Sequence, residues 1–447
     1  MNFLMLMSDE HNPKYSSVYG HPSVHTPNMK RLADRGTLYE NAYCPSPLCL
    51  PCRSSFMSGL YVHQTQSYNN ANPIKHDYLS YGKALSDQGI YTAYAGKADV
   101  YNHTDTLGFN EVILGGNRPS NGDTNFARQP MKIREQAHKR ADGYGVKDDP
   151  FRKDQNVIDA AVAWITNTAP KLGKPWSFSV NTGSPHFPHY VTQKLWDMYP
   201  DGGDLPAHGI DEDSAKHPAA KSLRDHFQTE QFNEEQARGL RRSYLGCVTW
   251  TDAALGQLLD ALEASGQMDE TVIVYCSDHG EMLGKFGMWW KCSLYEDSVR
   301  VPLIVAGPGF EAKKRVTTPV TLLDLQASIF KSVDAKRPSS WQGQPLQELQ
   351  PNDPQRIAFA EYHGHGTASS SYMLRKGDWK LLYHVNAPAQ LFNLTADPEE
   401  RTNLAATSEP KLAELTADLR DICDPEEENQ RCEDLITRQI EACGELG

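Results

Sequence analysis

Two short, largely apolar runs stand out along the chain, and each ends in acidic residues. Asn2 to Met7 is followed by Ser8-Asp9-Glu10, and Thr271 to Cys276 is followed by Ser277-Asp278-His279. Runs of this length without polar alternation are typical of strands buried on both faces. Ligands of open α/β sheets bind beyond the carboxyl ends of the strands, so the pattern predicts that both acidic ends face one site.

A helical pattern precedes the second run. Ser265-Gly266 marks the predicted end of this helix. Before it, apolar residues recur at spacings close to three and four: Leu245, Val248, Leu255, Leu258, Leu259 and Leu262. This spacing places them on one face of a helix. Further strands are predicted at 177–180, 301–305 and 373–383. The order of strands and helices predicts an α/β fold.

Polar segments divide the remainder of the chain. Stretches 142–152 and 201–225 are rich in Gly, Pro, Asp and His, and are predicted to be surface insertions that shape a cleft. A linker is predicted at 338–354. We therefore expect a catalytic domain over 1–350 and a C-terminal α+β subdomain over 351–447, with a small antiparallel sheet and a solvated acidic tail helix.

Composition narrows the classes of function. The 447 residues are 39% hydrophobic and 23% charged, with a formal net charge of -13. This charge argues against nucleic acid or an anionic membrane as the main partner. No apolar run is long enough to span a bilayer, and the N-terminal run is too short for a signal peptide. Nine scattered cysteines fit a reducing compartment, so a cytoplasmic location is predicted.

The densest motif combines cysteine, proline and arginine. Cys49, Pro51 and Arg53 stand in the spacing C-x-P-x-R, before a segment that ends at Gly59. Such a segment can place Cys49 at the start of a helix, where backbone N–H groups favour an anion. Arg53 would then lie one turn on, on the same face.

Other interpretations of these cysteines remain open at this stage. Cys44, Cys49 and Cys52 fit the C-x4-C-x2-C spacing of plant-type iron–sulfur proteins, although no fourth cysteine is near, because the next one is Cys247. A zinc site also lacks enough nearby ligands. Plain buried thiols are the third alternative.

The remaining candidates are acids and cations. Asp9, Glu10, Asp278 and His279 would suit a hard cation, Ca²⁺ or Mg²⁺, although aspartates after strands are often turn or cap residues. Three basic residues stand in short Gly/Pro or aromatic contexts: Lys97, His186 and Lys291. Taken singly, each could be a solvated surface group.

Several segments, in this order, resemble the type I sulfatases of the alkaline phosphatase superfamily: Asn2 to Glu10, Thr26 to Tyr43, Cys49 to Gly59, Ser277 to Gly284, Lys376 to Lys380 and Leu391 to Pro398. The resemblance covers nearly the whole chain. It implies a large mixed β-sheet flanked by helices, with a smaller C-terminal α+β subdomain.

The resemblance also implies residue roles. Cys49 would be oxidised to formylglycine by a maturation enzyme, and Arg53 would stabilise the hydrate that attacks sulfur. Lys97 and Lys291 would clamp the sulfate, and His186 would protonate the leaving alcohol. The metal would be bound by the residue 49 oxygen together with four side chains: Asp9, Glu10, Asp278 and His279.

Within the family, the chain is similar to choline sulfatases and to glucuronate 2-sulfatases. By that likeness Asn70 is a candidate substrate or nucleophile contact, and His363 and His365 are candidate substrate contacts. Two positions depart from the family pattern. Asp99 stands where many members have histidine, with His103 as a candidate substitute, and Cys52 stands where serine is usual.

The expected activity is hydrolysis of a small anionic sulfate monoester, on a sugar or uronate. Three alternatives stay open: a choline-sulfate-type alkyl sulfatase, a phosphonate monoester or phosphodiester hydrolase of the same superfamily, and a glycan-binding relative without catalysis. The sequence leaves open whether the chain forms a homo-oligomer.

Overall fold

The computed structural model describes residues 1–72, 74, 77–100, 107–116, 124–200 and 204–444. Its strands are β1 (Asn2–Asp9), β2 (Gly36–Tyr39), β3 (Ala42–Tyr43), β4 (Tyr91–Lys97), β5 (Glu111–Gly116), β6 (Tyr144–Val146), β7 (Trp176–Pro185), β8 (His189–Val191), β9 (Thr271–Ser277), β10 (Arg300–Val301), β11 (Leu303–Ala306), β12 (Lys314–Val316), β13 (Val320–Thr321), β14 (Ile357–Tyr362), β15 (Ser371–Lys376), β16 (Trp379–His384) and β17 (Gln390–Asn393).

The helices lie between and after these strands. They are α1 (Pro27–Asp34), α2 (Cys49–Ser58), α3 (Val62–Thr65), α4 (Tyr81–Ser86), α5 (Arg152–Asn167), α6 (Gln193–Asp197), α7 (Pro218–Phe227), α8 (Glu234–Ala264), α9 (Glu296–Val299), α10 (Leu322–Ser332), α11 (Glu409–Ile422) and α12 (Pro425–Gly444). Among the described residues, no helix is both long and apolar enough to cross a membrane.

A mixed eight-stranded sheet forms the centre, in the order β12-β2-β11-β9-β1-β7-β4-β5. Strand β1 lies between β9 and β7 and is parallel to both, with Ser8 opposite Ser277. This register brings the ends of β1 and β9 to the same edge. The α/β fold class predicted from the sequence is therefore confirmed, and antiparallel β11 makes the sheet mixed.

Both faces of the sheet are covered, which explains the unbroken apolar runs. Leu4 and Leu6 of β1 pack with α1, α5 and α8, whereas Phe3, Met5 and Met7 pack on the opposite side with α2, α4 and α10. Alternate residues of a strand point to opposite faces, so a strand covered on both sides must be apolar throughout.

The C-terminal part contains an antiparallel sheet of β14 to β17, against which Leu415 and Leu419 of α11 pack. Two sequence expectations differ from the structure. Helix α12 is not simply solvated, because its Cys432 and Ile436 are buried with Tyr68. The 201–225 stretch includes part of α7, whose buried Leu223 belongs to the main core.

Candidate active site

Cys49 is the first residue of α2, and it is fully buried at the edge where β1 and β9 end. Its Sγ lies 3.3 Å from His279 Nε2 and 3.9 Å from Asp9 Oδ1. At a helix start the first backbone N–H groups have no partner within the helix, and the helix dipole is positive there. An anion formed at residue 49 would be stabilised there.

Strand ends deliver the acids that meet this cysteine. Asp9 Oδ1 lies 3.3 Å from His279 Nε2, and Asp278 Oδ1 lies 3.7 Å from the same nitrogen. Ligand atoms of Asp9, Cys49, Asp278 and His279 all lie within 4.8 Å of one another. These four residues and Arg53 are called the reaction centre below. The four ligand atoms can hold a metal ion, and residues 9 and 278 supply the oxygens that a hard cation prefers.

Arg53 is buried one turn after Cys49 and is fixed by three contacts. Its Nε donates to Asp278 Oδ2 at 2.8 Å, and one Nη donates to the Lys97 carbonyl and to Asn181 Oδ1, at 3.1 and 3.2 Å. Within the described residues its other Nη has no hydrogen-bond partner. This leaves a preoriented donor in the reaction centre.

Two lysines and a histidine bring further positive charge. Lys97 Nζ pairs with Asp9 Oδ2. Lys291 Nζ contacts His186 Nε2, and both lie 3.2 Å from Glu10 Oε2. The Glu10 carboxylate therefore lies beside Lys291. Among the described residues, it belongs to a second group of possible metal ligands, which it forms with Asp9 and His186.

The local charges shift the titration of the buried groups. Burial and the Asp9 carboxylate act to raise the pKa of the Cys49 thiol, but Lys291, Lys97 and His279 together hold that pKa well below its usual value. Burial disfavours a charged His279, yet the neighbouring Asp278 and Cys49 raise its pKa to about 9. Residue 49 therefore lies where negative charge is favoured.

Two cavities adjoin His186 and Phe187. One, of about 150 Å³, is called the side cavity; its lining includes Asn70, Arg134, Arg140, His186, Lys291 and His365. Asn70 Oδ1 also accepts a hydrogen bond from the Leu50 N–H at 3.1 Å, which ties the side cavity to α2. The other cavity, of about 780 Å³, reaches Asp9, Lys97 and Asp99.

Some predicted residues lie elsewhere. His363 is fully buried, with Nε2 2.9 Å from Glu361 and Nδ1 2.8 Å from Ser370, and it does not line the side cavity. His103 lies outside the described residues. Asp99 Oδ2 is 3.3 Å from Lys97 Nζ.

The iron–sulfur interpretation finds no support. Across the described part of the chain, Cys44 and Cys52 belong to no group of metal-binding side chains. The Cys52 thiol instead donates to the Asp278 carbonyl at 2.8 Å, and Cys44 is free and buried. Both are packed thiols beside the reaction centre.

Sequence reasoning missed much of the side cavity. Arg134 and Arg140 come from a segment without a motif, Phe227 ends α7, and Phe187 and Trp290 merely flank predicted residues. These positions are far apart in sequence and carry no shared spacing. The only signal was the aromatic context of His186 and Lys291.

Known proteins share both sequence and fold with this chain. A model of the sulfatase family matches residues 1–335, and one described as N-sulphoglucosamine sulphohydrolase, C-terminal, matches residues 284–428. A choline-sulfatase of Rhizobium meliloti is 32% identical over 430 residues, which cover 90% of this chain and 82% of that protein. An arylsulfatase K of Danio rerio is 29% identical over 453 residues, covering 95% and 84%.

Solved structures extend the fold comparison. The phosphonate monoester hydrolase of Silicibacter pomeroyi superposes with a TM-score of 0.74 at 22% identity, over 94% of both chains. BT4656, solved in complex with its substrate D-glucosamine-2-N,6-O-disulfate, gives a TM-score of 0.74 at 21% identity, over 97% of this chain and 98% of that one. The alkaline-phosphatase-like architecture is thereby confirmed. On the strength of the family match and the two relatives, this chain belongs to the sulfatase family and is a sulfatase enzyme.

Proposed function

We propose that the chain hydrolyses sulfate monoesters with a formylglycine made from Cys49, assisted by a divalent metal. The single observation that carries this proposal is the position of Cys49. Its Sγ lies at the start of α2, within 4 Å of both His279 and Asp9. In the mature enzyme an oxygen of the formylglycine hydrate would take the place of this sulfur.

The donor set fits a metal such as Ca²⁺, or Mg²⁺ as the alternative. Asp9, Asp278, His279 and residue 49 would hold it, and it would supply Lewis-acid stabilisation of negative oxygen when bound. The sequence-based assignment of Glu10 as a further ligand stays a prediction, because its carboxylate here pairs with His186 and Lys291. The match to the family supports the metal and the formylglycine in general terms.

The surrounding residues have complementary roles in the proposed reaction. Arg53, held by Asp278, would orient the hydrate with its remaining donor. Lys97 and Lys291 would offset charge that develops on the sulfate oxygens in the transition state. Each lysine is partly or fully buried, so its field is weakly screened by water.

His186 would serve as the general acid. One hydroxyl of the hydrate gives its proton to the Asp9 carboxylate and attacks sulfur, the ester S–O bond breaks, and the alcohol oxygen takes a proton from His186. The second hydroxyl then gives its proton to the neutral His186, the C–O bond to sulfate breaks, and sulfate leaves as the aldehyde returns. Adding water regenerates the hydrate, so this covalent route divides one hard displacement into two easier steps. The contact between His186 Nε2 and Lys291 supports a role for both residues at the same ester oxygen.

The substrate is proposed to be a small sulfated sugar or uronate. The side cavity, with a volume near 150 Å³, supports a small substrate, and its arginines and lysine support an anionic one. Choline sulfate is the second candidate, favoured by the 32% identical relative. A cytoplasmic location and the need for a maturation enzyme remain sequence-based predictions.

Parallel rate measurements test the proposal. Mature, metal-loaded enzyme is assayed with an aryl sulfate, the matching aryl phosphonate monoester and the matching phosphodiester. We expect the highest kcat/KM for the sulfate ester. A higher value for either phosphorus ester would favour the hydrolase alternative, and the absence of turnover with all three would favour a glycan-binding protein.

A further inference from the structure

Three aromatic rings of the side cavity surround an arginine of the same chain. The Arg140 guanidinium carbon lies 5.1 Å from the ring centre of Trp290, 5.6 Å from that of Phe187 and 5.7 Å from that of Phe227. The rings also contact one another, with centres 5.5 Å apart for Phe187 and Trp290 and 5.1 Å apart for Phe227 and Trp290. Together the rings form an aromatic box.

An aromatic box is the usual receptor for a quaternary ammonium group, because ring faces attract a cation. Here the guanidinium of Arg140 already occupies it. An arginine stacked on aromatic faces keeps its N–H donors in the guanidinium plane, where they match the paired oxygens of a carboxylate or sulfate. The box therefore holds a cationic hydrogen-bond donor in a defined orientation.

The charges of the side cavity agree with this interpretation. Arg134, Arg140 and Lys291 line it, and its described lining includes no aspartate or glutamate. Two further lining groups, Trp290 Nε1 and His365 Nδ1, are buried and have no hydrogen-bond partner among the described residues. An anion bound there would gain several donors, and Glu10, which pairs with Lys291 at 3.2 Å, is not part of the described lining.

The side cavity is continuous with the sulfate-binding side chains. His186 and Lys291 line it, and both also contact Glu10 beside Asp9. One clamping lysine and the proton donor of the proposed mechanism therefore face the same space as Arg140. A substrate whose ester oxygen lies at His186 would extend its neighbouring substituent towards Arg140.

We propose that Arg140, supported by Arg134, binds a second anionic group of the substrate, a carboxylate or a second sulfate, and thereby excludes quaternary ammonium alcohols. The inference rests on the proposed sulfate ester hydrolysis and adds the feature that selects among sulfate esters. It separates this chain from an enzyme of choline sulfate, although a choline-sulfatase is among its relatives.

The test compares kcat/KM for matched esters with the mature enzyme. These are a monosulfated hexuronic acid, its primary amide, a disulfated neutral sugar with its monosulfated form, choline sulfate, and a small aryl sulfate. For the wild-type protein we expect the acid to exceed its amide by about 10- to 100-fold, as for loss of one charged hydrogen-bonded contact. In Arg140→Gln that ratio should fall to within about threefold, and choline sulfate should gain relative to the acid.

Arg35→Gln is the matched control, since Arg35 is half exposed and pairs with Asp269 at the surface. It should leave every ratio unchanged. Opposite changes for the acid and for choline sulfate in Arg140→Gln cannot come from partial unfolding, which would lower both rates together. A preference for the disulfated sugar over the acid would support the proposal with sulfate as the second anion.

Equal wild-type rates for the acid and its amide, together with equal rates for the disulfated and monosulfated sugars, would overturn the proposal and leave sulfate ester hydrolysis intact. A wild-type preference for choline sulfate would overturn it in the same way. If no ester is hydrolysed, the aryl sulfate included, the proposed function itself fails.

Discussion

The reaction centre and the side cavity lie next to each other, yet they are built by different parts of the chain. The reaction centre is fully buried, and strand ends and the first turn of α2 deliver its groups. In it each charge meets an opposite one, as Arg53 meets Asp278 at 2.8 Å. The side cavity is built from segments between the strands. Its described lining includes two arginines and Lys291 but no acid, and Lys291 pairs with Glu10 outside that lining.

This difference indicates that the reaction centre and the side cavity have separate roles. The sheet fixes the groups that, in the proposed mechanism, would act on the sulfate carried by every substrate. The connecting segments hold the groups that would contact the remainder of the substrate, because loops can vary without disturbing the core. Substitutions in the reaction centre should therefore affect all esters alike, and substitutions in the side cavity should affect them selectively.

The largest expected effect is the loss of the nucleophile. Cys49→Ala should lower kcat by at least about 10,000-fold for aryl, acidic and choline esters alike, since removal of a covalent nucleophile eliminates the low-barrier route. The measurement is the turnover of each ester at saturating metal. Cys423→Ser, at a partly exposed cysteine after α11, is the control and should keep full activity. Residual Cys49→Ala activity within tenfold of wild type would contradict the account.

The next effect is the loss of the metal. Asp278→Asn should weaken divalent-metal binding by at least about 100-fold, because removal of a direct ligand must cost no less than removal of a supporting one. Titration calorimetry with Ca²⁺ and with Mg²⁺ measures this without any substrate. The exposed Asp260, which pairs with Arg31, supplies the control Asp260→Asn. Unchanged metal affinity in Asp278→Asn would remove this residue from the ligand set.

Lys291 links the two regions, because it contacts Glu10, the chain neighbour of Asp9, and also lines the side cavity. Lys291→Met should lower kcat by roughly 100-fold for every ester, the size of a lost transition-state donor. The measurement compares its kcat losses across the ester series with those of Arg140→Gln. A loss of kcat confined to acidic substrates would assign Lys291 to the side cavity alone. It would contradict the expectation that this lysine acts on every ester.

The smallest expected effect concerns stability. Burial, His226 and the arginines 134 and 140 hold the pKa of His365 well below its usual value, so the folded protein keeps this ring neutral. The unfolded chain binds a proton below about pH 6.5, so the free energy of unfolding should fall by up to about 1.4 kcal/mol per pH unit as the pH drops below that value.

His365→Gln should remove this contribution. Between pH 7 and pH 5 its loss of stability should be about 2 kcal/mol smaller than that of the wild-type protein. Urea denaturation at several pH values measures the difference. An identical acid sensitivity in both proteins would show that the cations of the side cavity do not keep His365 neutral.

The sequence predicted the reaction centre far better than the side cavity. Apolar runs ending at Asp9 and Asp278 required buried parallel strands, and one register places the two ends together. The C-x-P-x-R spacing likewise required one helical turn between Cys49 and Arg53. Short-range patterns of this kind are readable because one element determines them.

The side cavity has no such pattern. Arg140 meets Trp290 only because distant segments pack together, and single-sequence periodicity carries no information on such contacts. The buried face of α12 was missed for a related reason. The many acidic residues of this helix predicted full exposure to solvent, whereas Cys432 and Ile436 are buried. The predicted boundary between domains 1–350 and 351–447, the oligomeric state and the choice of Ca²⁺ over Mg²⁺ remain predictions.

The mass of the tryptic peptide Gly36–Arg53, taken from protein made in its own host, tests the central claim most directly. The account predicts that Cys49 has exchanged its sulfur and two hydrogens for one oxygen, as aldehyde or as its hydrate, whereas Cys44 and Cys52 keep their thiols. An active enzyme in which residue 49 is still an unmodified thiol would contradict the proposed mechanism.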